Sequence, residues 1–175
     1  QVSYKNLLQC ENIDYIISCQ GYNVNDSISS FNKESYLKSM DVNINFIVLS
    51  LNYLLKNNKI NINSRLCIIS SIWQEFVRNN KFSYSVSKSA ISGLIKSSSE
   101  DLLEKNILIN AILPGPVDNK MTRKTLTKEQ LDNSLIRLID INDICNLLDY
   151  LCFNNNSTTG QSIKIDLGFT NNRNY

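Results

Sequence analysis

Histidine is absent from this chain of 175 residues. Serine–histidine hydrolases, histidine general bases and most zinc enzymes are thereby excluded, since each needs an imidazole. Glycine is scarce, with 5 in the chain, and none precedes Gly21. The 5 cysteines (Cys10, Cys19, Cys67, Cys145, Cys152) include no CxxC pair, so no metal or redox spacing is present. Cys19, Cys67, Cys145 and Cys152 lie in apolar segments, which predicts buried, reduced thiols in a cytoplasmic protein. No apolar run is long enough to cross a membrane. The longest, Phe46 to Leu55, is broken by Ser50, Asn52 and Tyr53. Charge of one sign is lacking too. The net charge is +2 and the basic residues form no tract, which argues against a nucleic-acid partner held by charge. The chain opens on Gln1 with no methionine and no signal-like segment, and the expectation is that residues precede it in the native protein.

What is present is the composition of one globular domain spanning residues 1–175, with 42% apolar and 19% charged residues. Ile13 to Cys19 reads as a buried strand ending near Gly21. Residues 33–57 carry apolar positions at helical spacing from Tyr36 to Leu55. Residues 57–64 read as a polar loop, and Leu66 to Ile69 as a second strand ending at Ser70-Ser71. A long helix is predicted over 82–104 and a strand over 107–113, stopped by Pro114-Gly115-Pro116. The Thr127-Lys128-Glu129-Gln130 capping box predicts a helix start. A helix over 143–153 and a strand over 161–166 complete the pattern. Alternating strands and helices imply an α/β domain on a doubly wound parallel sheet. Ligands in such sheets bind beyond the carboxyl ends of the strands, where Gly21, Ser71 and Pro114-Gly115 all fall.

The chemistry is carried by Tyr84-Ser85-Val86-Ser87-Lys88, with Ser71 thirteen residues before the tyrosine. Tyr84 and Lys88 are four apart and so neighbours on one helix face. A phenol beside an ammonium is a proton donor with a lowered pKa. A serine hydroxyl brought next to it holds a carbonyl oxygen. Taken singly, Tyr84 is equally a core-edge aromatic and Lys88 a solvated helix residue. The order and spacing of the set, with Asn43 in the preceding helix, make the case for a ketone reductase.

This succession, Ser71, Tyr84 and Lys88 followed by Pro114-Gly115 and by Thr159-Gly160 before the last strand, resembles the short-chain dehydrogenase/reductase family from Ile13 to Gly168. The thirteen-residue gap is that of its single-domain branch. The segment Pro114 to Arg123 looks like that of the ketoacyl reductases. The resemblance implies a Rossmann-like fold and NAD or NADP as cofactor. It makes Tyr84 the general acid, with Lys88 and the oxidised nicotinamide both lowering its pKa. Ser71 holds the substrate oxygen, and Lys88 also reaches the nicotinamide ribose. Asn43 interrupts its helix and holds a water that feeds protons to Lys88. Cofactor contacts carry over by position to Cys19, Gln20, Gly21, Pro114, Gly115, Val117 and Asn119. Related proteins form dimers or tetramers through two long helices. By that likeness helices 33–57 and 82–104 supply the interface, with Phe46, Val48, Leu51, Ile91, Leu94 and Ile95 as apolar surface.

The family's glycine-rich phosphate loop has no counterpart here, because no glycine precedes Gly21. By the resemblance the chain is the C-terminal two-thirds of the fold, and the Ile13–Cys19 strand is a bare sheet edge. Gln20 stands where the family usually has alanine, and Asn119 where it has threonine. The substrate expectation is a small carbonyl compound such as a 3-oxoacyl or sugar-like ketone. Lys120, Arg123, Lys124 and Lys128 around a lid over residues 118–127 would favour an anionic one. The alternatives at this stage are a binding or scaffold protein that kept the fold and lost the cofactor site, and an enzyme on sugar nucleotides, for which the spacing is wrong.

Overall fold

The computed structural model describes residues 9–125 and 137–171. Four strands form one sheet in the order β1-β2-β3-β4, every pair parallel: β1 (Ile13–Ser18), β2 (Ile60–Ile69), β3 (Leu108–Pro114) and β4 (Ser162–Ile165). The helices are α1 (Lys33–Met40), α2 (Phe46–Lys56), α3 (Phe82–Asp101), α4 (Lys120–Thr125) and α5 (Ile141–Asp149). The doubly wound α/β reading holds. The helix foreseen from Thr127 lies outside the described residues.

β3 is buried along its whole length, as its Leu-Ile-Asn-Ala-Ile-Leu-Pro sequence requires of a strand covered on both faces. On one face Ile109, Ala111 and Leu113 pack with Ile47, Leu51 and Leu54 of α2 and Ile91 and Ile95 of α3. On the other, Ile112 joins Cys67, Ile139, Ile144 and Leu151. β1 is half-exposed and has a partner only in β2 among the described residues, with Tyr15 and Ile17 open to solvent.

β2 begins six residues earlier than its apolar core suggests. Ile60 pairs with Ile13, but the register then jumps so that Tyr15 faces Arg65. The extra residues of β2 bulge out around Asn63, which sits at φ 64. A polar bulge looks like a loop to a periodicity argument, because its side chains do not alternate.

The helix expected over 33–57 is likewise interrupted, by a π-turn at Asp41–Asn45 between α1 and α2. Asn32 caps α1, its side chain accepting from the Ser35 amide at 2.9 Å. α3 stops at Asp101, and Asn106 closes the following 3₁₀ turn at φ 51. Ser39, Ser83 and Ser87 are fully buried where α1 meets α3, small enough to let the helices approach.

Two expectations about surfaces are corrected. Cys67 and Cys152 are buried, but Cys19 and Cys145 are exposed, Cys19 beyond the tip of β1 and Cys145 next to buried Ile144 on α5. Of the residues assigned to an oligomer surface, Leu51, Ile91 and Ile95 are consumed by the core between helices and sheet. Val48 remains exposed. Among the described residues no helix is long and apolar enough to cross a membrane, and none form a cluster fit for a metal ion.

Candidate active site

The strand tips converge as expected. Cys19-Gln20-Gly21 beyond β1, Ser70-Ser71 beyond β2 and Pro114-Gly115 at the end of β3 line one cavity of about 590 Å³. Tyr84 and Lys88 enter it from α3, and Val117, Asn119 and Thr122 from the segment leading into α4.

Ser71 is extended, with φ −168 and ψ 156, and opens a 3₁₀ turn over Ile72–Gln74. Its hydroxyl accepts from the Trp73 amide at 3.3 Å. The turn fixes the serine at the strand tip, where it lines the same cavity wall as the Tyr84 side chain. Tyr84 and Ser71 are each 8% exposed, enough for a small carbonyl oxygen to reach both.

Lys88 lies one turn further along α3, almost fully buried. Its Nζ donates to the Ile69 carbonyl at 3.3 Å and stands 5.8 Å from the centroid of the Tyr84 ring. Among the described residues no carboxylate lines this cavity. Burial without a counter-charge pushes the Lys88 ammonium down to about 8.

The expectation for Tyr84 is corrected. Burial pushes its phenol up, and the nearby Ser71 hydroxyl opposes that without overcoming it. The expected lowering needed two cations. Lys88 by itself, over the ring, does not outweigh the loss of water around the phenolate.

Asn43 sits in the π-turn, fully buried, and its side chain does not line the cavity. Its Oδ1 accepts from the Tyr22 amide at 2.7 Å, and its Nδ2 donates to the Tyr22 carbonyl at 2.9 Å and the Ser87 hydroxyl at 2.8 Å. Ser87 in turn donates to the Tyr84 carbonyl at 2.8 Å. Asn43 therefore ties the chain beyond β1 to the helix that carries Tyr84 and Lys88. In this arrangement its side chain is a positioning group.

The residues assigned to a cofactor differ in what holds them. A Cβ on Gly115 would meet Asp166 and Ile139 at 3.1–3.2 Å, so close packing already requires glycine there. A Cβ on Gly21 would meet nothing nearer than Asn43 Oδ1 at 3.9 Å, which leaves its outer side open to a ligand. Val117 is tied to Ile139 by an isolated parallel bridge. Asn119 spends its Oδ1 on the Thr122 amide at 2.9 Å, capping α4. Gln20 holds a buried Nε2 with no hydrogen-bond partner among the described residues. An unmatched donor in the wall fits a ligand rich in acceptors, such as the ribose and carboxamide of a nicotinamide dinucleotide. The residues present thus fit the nicotinamide half of that cofactor.

Of the lid cations, Arg123 is held by Asp118 through two bonds of 2.7 and 2.8 Å. Lys120 is exposed and does not line the cavity, and Lys128 lies outside the described residues.

Two cations in the wall were missed from sequence. Lys81, three residues before Tyr84, is buried, donates to Asn23 Oδ1 at 2.8 Å and also to Asn25 Oδ1, and stands 5.9 Å from the Tyr84 ring centroid. Burial, and then the charge of Arg78, hold it down at about 8 against the opposing pull of Asp26. Arg78 lines the same cavity. The available signal was the i, i+3 spacing of Lys81 and Tyr84 on one helix face. Trp73 and Phe169, in edge-on contact at 6.4 Å between centroids, supply apolar wall.

A family model described as enoyl-(acyl carrier protein) reductase matches residues 6–170. The chain is 27% identical over 180 residues to the 2-keto-3-deoxy-L-fuconate dehydrogenase of Xanthomonas campestris, covering 90% of this chain and 57% of that enzyme. It is 28% identical over 131 residues to an uncharacterized oxidoreductase of Staphylococcus haemolyticus, covering 71% of this chain and 57% of the relative. The chain thus spans little more than half the length of these relatives. A solved short chain dehydrogenase family protein from Francisella tularensis superposes with a TM-score of 0.82 at 25% identity, covering 95% of this chain and 75% of its own. Fold, strand-tip geometry and these likenesses agree that the chain belongs to the short-chain dehydrogenase/reductase family.

Proposed function

We propose that this chain carries the catalytic part of an NAD(P)-dependent oxidoreductase that interconverts a ketone and a secondary alcohol. The observation that supports it most is that Ser71, Tyr84 and Lys88 line one cavity at the strand tips, with the Lys88 ammonium buried 5.8 Å from the Tyr84 ring centroid. The substrate oxygen accepts from Ser71 and from Tyr84. Tyr84 hands its proton to that oxygen as the carbonyl is reduced, and takes it back in the oxidation direction. A raised phenol pKa keeps this proton in place until the oxygen acquires charge. Lys88 balances the phenolate left behind and would bond the ribose hydroxyls of a bound cofactor. A bound nicotinamide supplies or accepts the hydride, and Gln20, Gly21, Val117 and Asn119 would hold it.

A buried lysine without a carboxylate weakens a fold, which speaks against a purely structural role for Lys88. The exposed Val48 and Leu49 of α2 and Val86 of α3 support pairing of two copies through these helices. Cytoplasmic residence remains our reading of the free thiols.

The test is Tyr84→Phe in the full-length protein, assayed by NADH and NADPH oxidation against a panel of ketones. Turnover should vanish while nucleotide binding stays within about twofold. Retention of more than a few per cent of the rate contradicts the acid–base role.

A further inference from the structure

The wall of the cavity is electrostatically one-sided. Arg78, Lys81 and Lys88 line it, and among the described residues no aspartate or glutamate does. The acidic residues nearby are engaged elsewhere. Glu75 pairs with Lys164 at 2.9 Å. Asp26 turns its carboxylate to the amide and hydroxyl of Ser83, capping α3. Asp118 pairs with Arg123. Among the described residues Arg78 has no ion-pair partner.

Lys81 is the unusual member. Its ammonium is buried, and its two bonded acceptors are the neutral amides of Asn23 and Asn25. An ammonium has three protons to donate, so one remains. Asn23 itself lines the cavity, which places the ammonium at the wall. The buried Asp26 carboxylate attracts Lys81 but bonds Ser83 rather than the ammonium, so among the described residues Lys81 has no direct ion pair. A helix start favours negative charge, and Lys81 works against it. Lys81 and Arg78 are also close enough to repel, a cost that a bound anion would relieve.

We propose that the substrate is a ketone carrying an oxyanion, either carboxylate or phosphate, received by Arg78 and Lys81 while its carbonyl rests on Tyr84 and Ser71. This rests on the reductase reading above and assigns its substrate class. The Lys81 ammonium stands 5.9 Å from the centroid of the Tyr84 ring, so an oxyanion it holds lies close to the reacting oxygen. That span suits a short chain, with a few bonds between ketone and anion. Hydrogen bonds to a charged group are worth more than neutral ones, about tenfold or better in affinity each.

The experiment uses full-length protein and two matched pairs: levulinate against levulinamide, and dihydroxyacetone phosphate against dihydroxyacetone. The expected result is a kcat/KM at least tenfold higher for the anion in one pair, and which pair responds identifies carboxylate or phosphate. Arg78→Gln, an exposed site, should raise KM for that anion about tenfold and erase most of the anion's advantage over the neutral ketone. Lys81→Gln should act in the same direction, and Lys81→Arg should restore part of the preference. Equal rates within both pairs, or an Arg78→Gln variant that keeps the preference, overturn the proposal. Trp73, the single tryptophan of the chain, lines the cavity and reports binding independently of turnover. If no ketone is reduced, the reductase reading fails. The anion assignment is then decided by fluorescence titration with the same four compounds, and absence of an Arg78-dependent preference for either anion refutes it.

Discussion

The Tyr84 phenol and the Ser71 hydroxyl are brought together at the wall of one cavity, the first from the first turn of α3 and the second from the tip of β2, near enough for Ser71 to favour the phenolate. Neither residue reaches the other by local structure. The arrangement exists because α3 packs Ile91 and Ile95 under the sheet, which fixes where its first turn lies relative to the strand ends.

Replacing Ser71 should therefore test the site without breaking the fold. Ser71→Ala removes one donor to the substrate oxygen and one weak turn bond to Trp73. The expected loss in kcat is about 10²–10³, as for removal of an oxyanion-type donor. Steady-state kinetics and a thermal melt check it. A loss below fivefold would mean that Tyr84 holds the oxygen unaided.

Lys88 gives a prediction about pH. Its folded-state pKa is about 8, below the ordinary 10.5. Between these values the unfolded chain binds more protons, so this group makes stability rise with pH across that window. Below it, the charged lysine opposes folding by up to ~3 kcal/mol. Lys88→Met should raise the urea midpoint at neutral pH and flatten the rise between about pH 8 and 10, with Lys81 supplying what remains, while abolishing turnover. A lower midpoint at pH 7 would show that the ammonium stabilises the fold.

Asn43→Ala should disconnect two elements at once. It removes the bonds to both backbone groups of Tyr22 and to Ser87, all at a fully buried site. The expected destabilisation is roughly 2–4 kcal/mol. Because Tyr22 follows Gly21, KM for the nucleotide should rise more than kcat falls. An unchanged nucleotide KM in a folded variant would remove the positioning role.

Ile91 offers a control that does not line the cavity. It is fully buried between α3 and the sheet. Ile91→Ala should cost about 2–5 kcal/mol. At temperatures where the variant is folded, kcat should stay within about threefold. A selective loss of kcat would show that the position of α3 is softer than its packing implies.

Much of this molecule was readable in one dimension. β3 announces itself because a continuous apolar run can be satisfied only between two covered faces, and Ser71, Tyr84 and Lys88 announce themselves through spacing. The polar start of β2 did not, since its pairing depends on a bulge set by β1, a strand some forty residues away in sequence. Leu51, Ile91 and Ile95 looked like interface, because helical periodicity says which residues share a face but not what that face meets.

The chemistry divides in the same way. Residue order alone determined that a phenol, an ammonium and a hydroxyl belong together, since covalent spacing puts the first two on one helix face. Only the packed fold decided the sign of the shift on Tyr84 and revealed Lys81 and Arg78 in the wall. Desolvation and charge proximity arise from what surrounds a group in space, and that surrounding is assembled from segments distant along the chain.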